Sequence, residues 1–178
     1  MQLLRARDRA ATPWKNGGGI THEVAAFPPG SDFASFLWRV SVAQVTKAGP
    51  FSELAQIERL FAVLEGCIRL EFAGRTLDLD ARSDPIGFSG ESACLATPLR
   101  GPVSDLNLML RRGKASATMK RVSAPMRSET PTTIVVAPRA QSLCIDGRQI
   151  ALARFDAVRL DAPCDIGIGD DALVIAIA

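Results

Sequence analysis

The chain has 178 residues, 47% of them hydrophobic, and nearly balanced acidic and basic side chains with a formal net charge of +2. This length and apolar content can bury roughly 70% of the unfolded surface in one large domain or two small units, which excludes disordered and fibrous proteins. The balanced charge gives no reason to expect a nucleic-acid, membrane or polyacidic partner.

Arginines interrupt the N-terminal segment MQLLRARDRAATPW (1–14), where a signal peptide would need an unbroken apolar core. No run of the sequence approaches the ~20 apolar residues of a membrane span. We therefore expect a cytoplasmic protein without a membrane partner. The four cysteines are scattered and form no CxxC pair, which favours free thiols over a disulfide framework.

The segment PWKNGGGITHE (13–23) contains three consecutive glycines. It lacks the Gly-Lys-Ser/Thr of a P-loop and the GxGxxG context of a dinucleotide loop. The residues that follow, 20–27, have helix-like apolar spacing but are β-branched at three positions and end at Pro28. These features favour a strand over a helix, and we expect it to form a hairpin with the strand predicted at 37–45.

The segment LWRVSVAQV (37–45) alternates apolar and polar residues, which is typical of a strand with one core face and one polar face. In the predicted hairpin, Thr21 and Glu23 share a face, as do Arg39 and Ser41. The carboxylate of Glu23 and the guanidinium of Arg39 could form a partly open buried pair that binds a small polar ligand. The alternative is a surface ion pair worth under about 1 kcal/mol.

Short alternating runs broken by Gly, Pro, Asp and Ser recur along the chain, which predicts an all-β protein. Two hairpins, at 67–80 and 143–155, align at a constant offset through Gly74 with Gly147. This weak repeat predicts two related β-units divided near the basic segment 111–131. That segment has no stacking aromatics for RNA, so a strand edge protected by charge is the preferred interpretation.

The only histidine, His22, is predicted to face away from Glu23. A single histidine argues against an imidazole metal site, and no nucleophile elbow or Cys/His pair is present. We expect no metal and no cofactor.

Several segments in consistent order resemble the HutD/Ves family of small bacterial proteins. They are PWKNGGGITHE (13–23), WRVSVAQV (38–45), GPFS (49–52), ERLFAVLEG (58–66), GFSGE (87–91) and GPVSDLNLMLRRG (101–113). The resemblance implies cupin-like double-stranded β-helix barrels in tandem, a bicupin, with a pocket in the first barrel. We assign 1–125 to the first unit and 126–178 to a second, shorter one.

The resemblance also implies a non-enzymatic regulatory protein that binds a small carboxylic acid, such as N-formylglutamate or urocanate, and modulates histidine utilisation. The residues expected to contact the ligand are Lys15, Asn16, Gly17, Gly18, Gly19, Thr21, Glu23, Arg39, Ser41, Arg59, Asp105 and Asn107. His22 stands where the family commonly has arginine, so we expect the ligand preference of this chain to differ at this position.

Two alternatives stay open at this point. One is a metal-independent cupin enzyme, an isomerase or lyase, with Glu23 as general base and Lys15 stabilising negative charge. The other is a stress-related structural protein without a ligand, whose pocket would be filled by its own side chains. Pairing of strand edges makes a homodimer the expected assembly.

Overall fold

The computed structural model describes residues 1–178. The chain consists of short strands and one 3₁₀ turn at Ala6–Asp8, which confirms the all-β prediction. None of its helical structure is long and apolar enough to cross a membrane. The chain divides into two compact units, a first unit of residues 10–114 and a second unit that combines residues 1–9 with residues 115–178.

The strands are numbered in chain order. The second unit begins with β1 (Gln2–Leu4). The first unit contains β2 (Ala11–Pro13), β3 (Gly19–Phe27), β4 (Trp38–Val45), β5 (Gly49–Pro50), β6 (Ile57–Glu65), β7 (Cys67–Phe72), β8 (Arg75–Asp80), β9 (Ile86–Ser89), β10 (Cys94–Pro98) and β11 (Val103–Arg111). The second unit continues with β12 (Ala117–Val122), β13 (Met126–Ser128), β14 (Thr132–Val136), β15 (Gln141–Ile145), β16 (Arg148–Leu152), β17 (Ala157–Leu160), β18 (Cys164–Ile168) and β19 (Ala172–Ile177).

Both units have the same two-sheet topology. The first unit has a six-stranded sheet in the order β2-β3-β4-β11-β6-β9 and a four-stranded sheet in the order β5-β10-β7-β8. The second unit has the orders β1-β17-β14-β19-β12 and β13-β18-β15-β16. The order β4-β11-β6-β9 recurs in the second unit as β12-β19-β14-β17, with β12 in the place of β4. The four-stranded sheets correspond strand for strand. The repeat inferred from the two hairpins is therefore a repeat of whole cupin-like units.

The division of the chain differs from the predicted boundary between residues 125 and 126. Strand β1 pairs with β17, placing Leu3 opposite Val158, and β12 pairs with β19, placing Met119 opposite Ile175. Both strands therefore belong to the second unit, which was predicted to begin at residue 126. Local sequence patterns do not show this, because the partner strands lie far away along the chain.

The apolar core of the first unit lies on the inner faces of its two sheets. It includes Phe61 and Val63 of β6 and Ile68 and Leu70 of β7, all 1% exposed or less. The opposite face of the six-stranded sheet is buried as well, since Val40 is fully inaccessible to solvent. Strand β4 is therefore covered on both faces, and the face predicted to be polar points into the interior of the unit.

A buried carboxylate fixes the N-terminal segment within the second unit. Asp156, which is 2% exposed, accepts hydrogen bonds from Arg5 Nη1 and the backbone N–H of Ala6, both at 2.7 Å, and from the N–H of Ala153 at 2.9 Å. Desolvation acts to raise the pKa of Asp156, but these hydrogen bonds outweigh it and lower the pKa. The chain start is thereby bound to the turn between β16 and β17.

The basic segment 111–131 contains arginines that are paired with acids. Arg112 lies 2.7 Å from Glu58, and Arg121 lies 3.3 Å from Asp171. These ion pairs neutralise much of the local positive charge, which favours the interpretation as a charge-protected edge.

Candidate functional site

The first unit contains a cavity of about 620 Å³. It is bounded by the inner face of the six-stranded sheet and by the two segments 12–16 and 50–54. Its lining residues are Thr12, Pro13, Trp14, Lys15, Asn16, Thr21, Phe33, Arg39, Ser41, Ala43, Pro50, Phe51, Ser52, Leu54, Arg59, Asp105, Asn107 and Met109.

The sheet register places the polar lining residues on adjacent strands. Strand β11 runs between β4 and β6, so alternate residues of all three strands face the cavity. Met109 lies between Arg39 on β4 and Arg59 on β6, and Asn107 lies opposite Ser41. The cavity floor therefore combines charged and neutral polar groups on a rigid sheet.

Arg59 is a buried cation in this floor. Its side chain is 4% exposed, and its guanidinium carbon lies 4.8 Å from the ring centroid of Phe51 and 5.1 Å from that of Phe88. Its Nε donates a long hydrogen bond of 3.5 Å to Asn107 Oδ1. Burial lowers the pKa of Arg59 to about 10, opposed by the negative charge of Asp105, so Arg59 remains cationic at neutral pH. No carboxylate forms an ion pair with it.

Asp105 lies on the same strand as Asn107 and is 2% exposed. Its Oδ2 atom is buried and has no hydrogen-bond partner among the protein atoms. Desolvation raises the pKa of Asp105 to about 7, although the charge of Arg59 acts to lower it. The cavity thus contains a cation and an ionisable carboxyl group that influence each other without a hydrogen bond between them.

Glu23 and Arg39 form an ion pair at 2.7 Å between Glu23 Oε2 and Arg39 Nε, which the predicted hairpin anticipated. The Arg39 side chain is 14% exposed and that of Glu23 is 41% exposed. The Phe33 ring centroid lies 4.5 Å from the Arg39 guanidinium carbon. A general base needs a sequestered carboxylate away from cations, so this arrangement does not favour Glu23 in that role.

The glycine segment forms a tight turn beside the cavity. The Trp14 N–H donates to the Gly19 carbonyl at 2.9 Å, and the Gly17 N–H donates to the Trp14 carbonyl at 3.0 Å. Gly17 has φ +66°, a left-handed conformation that favours glycine. A Cβ on Gly19 would lie 2.5 Å from the Gln44 carbonyl oxygen. The turn is held further by Trp14 Nε1, which donates to Thr21 Oγ1 at 2.8 Å.

The structure brings most of the predicted site residues together. The predicted residues that line the cavity are Lys15, Asn16, Thr21, Arg39, Ser41, Arg59, Asp105 and Asn107. Glu23 and the three glycines, Gly17, Gly18 and Gly19, do not line it, although each contacts or neighbours residues that do. Gly18, for example, donates its N–H to Asn16 Oδ1 at 3.0 Å.

The aromatic lining was missed by the sequence reasoning. Phe33 and Phe51 border the cavity, and their proximity to the polar motifs was the only signal that could have indicated them. His22 pairs with Ala11 and Val42 in the register and does not line the cavity. Its position agrees with the predicted orientation away from the Glu23 face.

The cavity residues do not resemble a metal centre. No group of three or more His, Cys, Asp or Glu side chains is arranged to hold a metal ion. Asp105 is the one carboxylate of the lining, and no histidine belongs to it. The donor set therefore does not fit the multidentate sites that bind transition metals in proteins.

Comparisons with known proteins place the chain in a family. The profile of the HutD family matches residues 6–172. A 21.2 kDa protein from the 3′ region of hutC in Pseudomonas putida is 32% identical over 166 residues, covering 90% of this chain and 87% of that protein. Protein Ves of Citrobacter koseri is 34% identical over 122 residues, covering 67% of this chain and 63% of Ves.

Solved structures agree with the sequence relatives. HutD from Pseudomonas fluorescens matches with a TM-score of 0.87 at 27% identity, covering 99% of this chain and 97% of that chain. A cupin 2 conserved barrel domain protein from Leptotrichia buccalis matches with a TM-score of 0.61 at 10% identity, covering 99% of this chain and 95% of that chain, which shows the fold alone. From the family profile, the relatives and the shared fold, we conclude that this chain belongs to the HutD family.

Proposed function

We propose that this protein is a non-enzymatic regulatory protein that binds a small carboxylic acid, such as N-formylglutamate or urocanate, and modulates histidine utilisation. The observation that carries the proposal is Arg59, a buried cation that lines the cavity without an ion-paired carboxylate. The cavity volume of about 620 Å³ lies within the range that is usual for small-molecule sites.

The energetics of Arg59 support an anionic ligand. Moving a guanidinium from water into the protein interior costs roughly several kcal/mol, as for other buried ions. An opposite charge and hydrogen bonds can compensate this cost. The rings of Phe51 and Phe88 supply part of this compensation through cation–π contacts. A ligand carboxylate would supply the remainder, and its two oxygens match the planar geometry of the guanidinium.

The other polar groups can orient the ligand. Ser41 and Asn107 lie opposite each other on adjacent strands and are both buried. Their hydroxyl and amide groups would form neutral hydrogen bonds to the body of the ligand. Lys15 and Asn16 border the cavity from the glycine turn, and Arg39 carries a charge already balanced by Glu23. We therefore assign the principal carboxylate contact to Arg59 and a secondary one to Arg39.

Titration calorimetry tests the proposal. We expect N-formylglutamate, urocanate or a related small acid to bind saturably and without turnover. Arg59→Met should abolish the binding signal, because it removes the buried charge while keeping an unbranched apolar side chain. Arg69→Met is the matched control, since Arg69 is an exposed arginine paired with Asp78. Absence of binding for every acid in the set, or full binding by Arg59→Met, would contradict the proposal.

The two alternatives have less support. A metal-independent isomerase or lyase would require Glu23 to act as base, yet Glu23 is half-exposed beside Arg39. A ligand-free structural protein would have its cavity filled by its own side chains. The cytoplasmic location and the homodimer stay predictions, and sedimentation analysis of the full chain tests the latter.

A further inference from the structure

The cavity contains one polar atom that the proposed carboxylate contact does not explain. Asp105 lines the cavity, and its Oδ2 atom is buried and has no hydrogen-bond partner. Buried polar groups in folded proteins are nearly always hydrogen-bonded, so an unpaired one calls for a specific partner. The same strand carries Asn107, whose Oδ1 accepts a hydrogen bond from Arg59, so the neighbouring polar group is already engaged.

Asp105 and Arg59 line the same cavity. A ligand carboxylate held by Arg59 would therefore share the cavity with the Asp105 carboxylate, and two negative charges in a poorly solvated site repel each other. A ligand that turned a second carboxylate or another acceptor oxygen toward Oδ2 would leave that atom unpaired in a poorly solvated site. A ligand that turned an N–H toward Oδ2 would satisfy it.

We propose that Asp105 is a specificity-determining residue, an inference that rests on the proposed function. It accepts an N–H of the ligand while Arg59 holds the carboxylate. The cavity therefore selects small acids that carry both an anionic group and a hydrogen-bond-donating nitrogen, such as an amide or an azole, over acids of the same shape that lack the N–H.

The charged groups facing this site are few. Arg59 on β6 is the group whose charge acts on Asp105. Cys94 on β10 interacts with Arg59, and burial raises the pKa of its thiol, so it stays neutral near pH 7. Strand β4 contributes only Ala43 directly opposite Asp105. Lys15 and Arg39 also line the cavity, but neither acts on the pKa of Asp105, so neither takes the place of the ligand N–H.

A matched pair of ligands separates this inference from the proposed function. Urocanate has an azole N–H, and 3-(furan-3-yl)acrylate has the same carboxylate and a ring of similar shape without an N–H. We expect wild-type protein at about pH 8 to bind urocanate about tenfold to a hundredfold more tightly in calorimetry, since leaving a buried acceptor unpaired carries a penalty of that order.

Two variants localise the preference. Asp105→Leu should reduce the affinity ratio to about one by weakening urocanate binding, with the furan acid unaffected or bound more tightly. Asp105→Asn keeps an acceptor oxygen without the charge and should lower the ratio at least about threefold, because hydrogen bonds to charged acceptors are roughly twice as strong. Circular dichroism checks that each variant folds. If Asp105→Leu does not fold, the affinity ratio of Asp105→Asn decides the question.

The outcomes are distinguishable. Binding of both acids to wild type with a ratio that neither variant changes would overturn the role of Asp105 and leave the carboxylate contact of Arg59 standing. Equal affinities of wild type for the two acids would also overturn it. If the wild-type protein binds neither these two acids nor any other small acid, the proposed function fails and this inference fails with it.

Discussion

Substitution of Asp105 by asparagine should stabilise the first unit at alkaline pH and leave its stability nearly unchanged at acid pH. In the folded protein, burial raises the pKa of Asp105 from 3.8 to about 7. This difference corresponds to about 4 kcal/mol, since one pKa unit equals about 1.4 kcal/mol. The folded state retains the proton to higher pH than the unfolded state does. The contribution of Asp105 to stability is therefore fully present below the unfolded pKa and is lost as pH rises through about 7.

Asparagine resembles the protonated carboxyl in shape and does not titrate. We expect the free energy of unfolding of Asp105→Asn to equal that of wild type near about pH 4, and to exceed it by about 2–4 kcal/mol near about pH 8. Urea unfolding followed by tryptophan fluorescence is the suitable assay. Both tryptophans, Trp14 and Trp38, lie in the first unit, so the signal reports the unit that contains Asp105.

Asp78→Asn provides the control with the opposite sign. Asp78 is exposed, and the hydrogen bonds from Arg69 lower its pKa. The stabilising effect of the Asp78 carboxylate is present above the unfolded pKa and is lost as pH falls. Asp78→Asn should therefore slightly lower the free energy of unfolding at neutral pH. If the difference between Asp105→Asn and wild type is the same at both pH values, Asp105 is not a desolvated carboxyl and the reasoning is refuted.

Three further substitutions test other parts of the structure. Gly19→Ala should destabilise the first unit and weaken ligand binding, because the new Cβ would lie 2.5 Å from the Gln44 carbonyl oxygen; urea unfolding and calorimetry measure the two effects. Glu23→Gln should change stability by less than about 1 kcal/mol, since its ion pair with Arg39 is partly exposed, and calorimetry should still show ligand binding. Asp156→Asn should destabilise the second unit by about 3 kcal/mol, because the charged acceptor of a buried hydrogen-bond cluster is lost, and hydrogen exchange of the β17 amides should accelerate.

Two of these substitutions have matched control variants. Gly30→Ala is the control for Gly19→Ala: Gly30 has φ +76°, but no atom lies within 4 Å of the new Cβ, so the substitution should affect stability without affecting binding. Loss of binding in Glu23→Gln would show that Glu23 itself contacts the ligand. Asp161→Asn is the surface control in the second unit, since Asp161 is half-exposed, and equal acceleration of exchange in both aspartate variants would contradict the anchoring role of Asp156.

Several features of the fold could be predicted from short-range patterns. The β-branched residues after the glycine turn form β3, and the hairpin of β3 with β4 pairs Glu23 with Ser41 in register. Side chains alternate along a strand, so two neighbouring strands suffice to predict which residues share a face. That reasoning placed Glu23 beside Arg39, and the structure has this ion pair. The repeated hairpins predicted the tandem units for the same reason, because each hairpin depends on its own turn residues.

Tertiary structure alone decided the surroundings of Arg59 and Asp105. The predicted hairpin gives Arg39 its partner Glu23, but it says nothing of Arg59, which lies between aromatic rings from two other parts of the chain. The unpaired Oδ2 of Asp105 likewise results from burial by several elements, and desolvation depends on all of them together. The sequence by itself determined the strands, the hairpins, the repeat and the family; the electrostatic character of the cavity depended on contacts between residues distant in the chain, which no local pattern encodes.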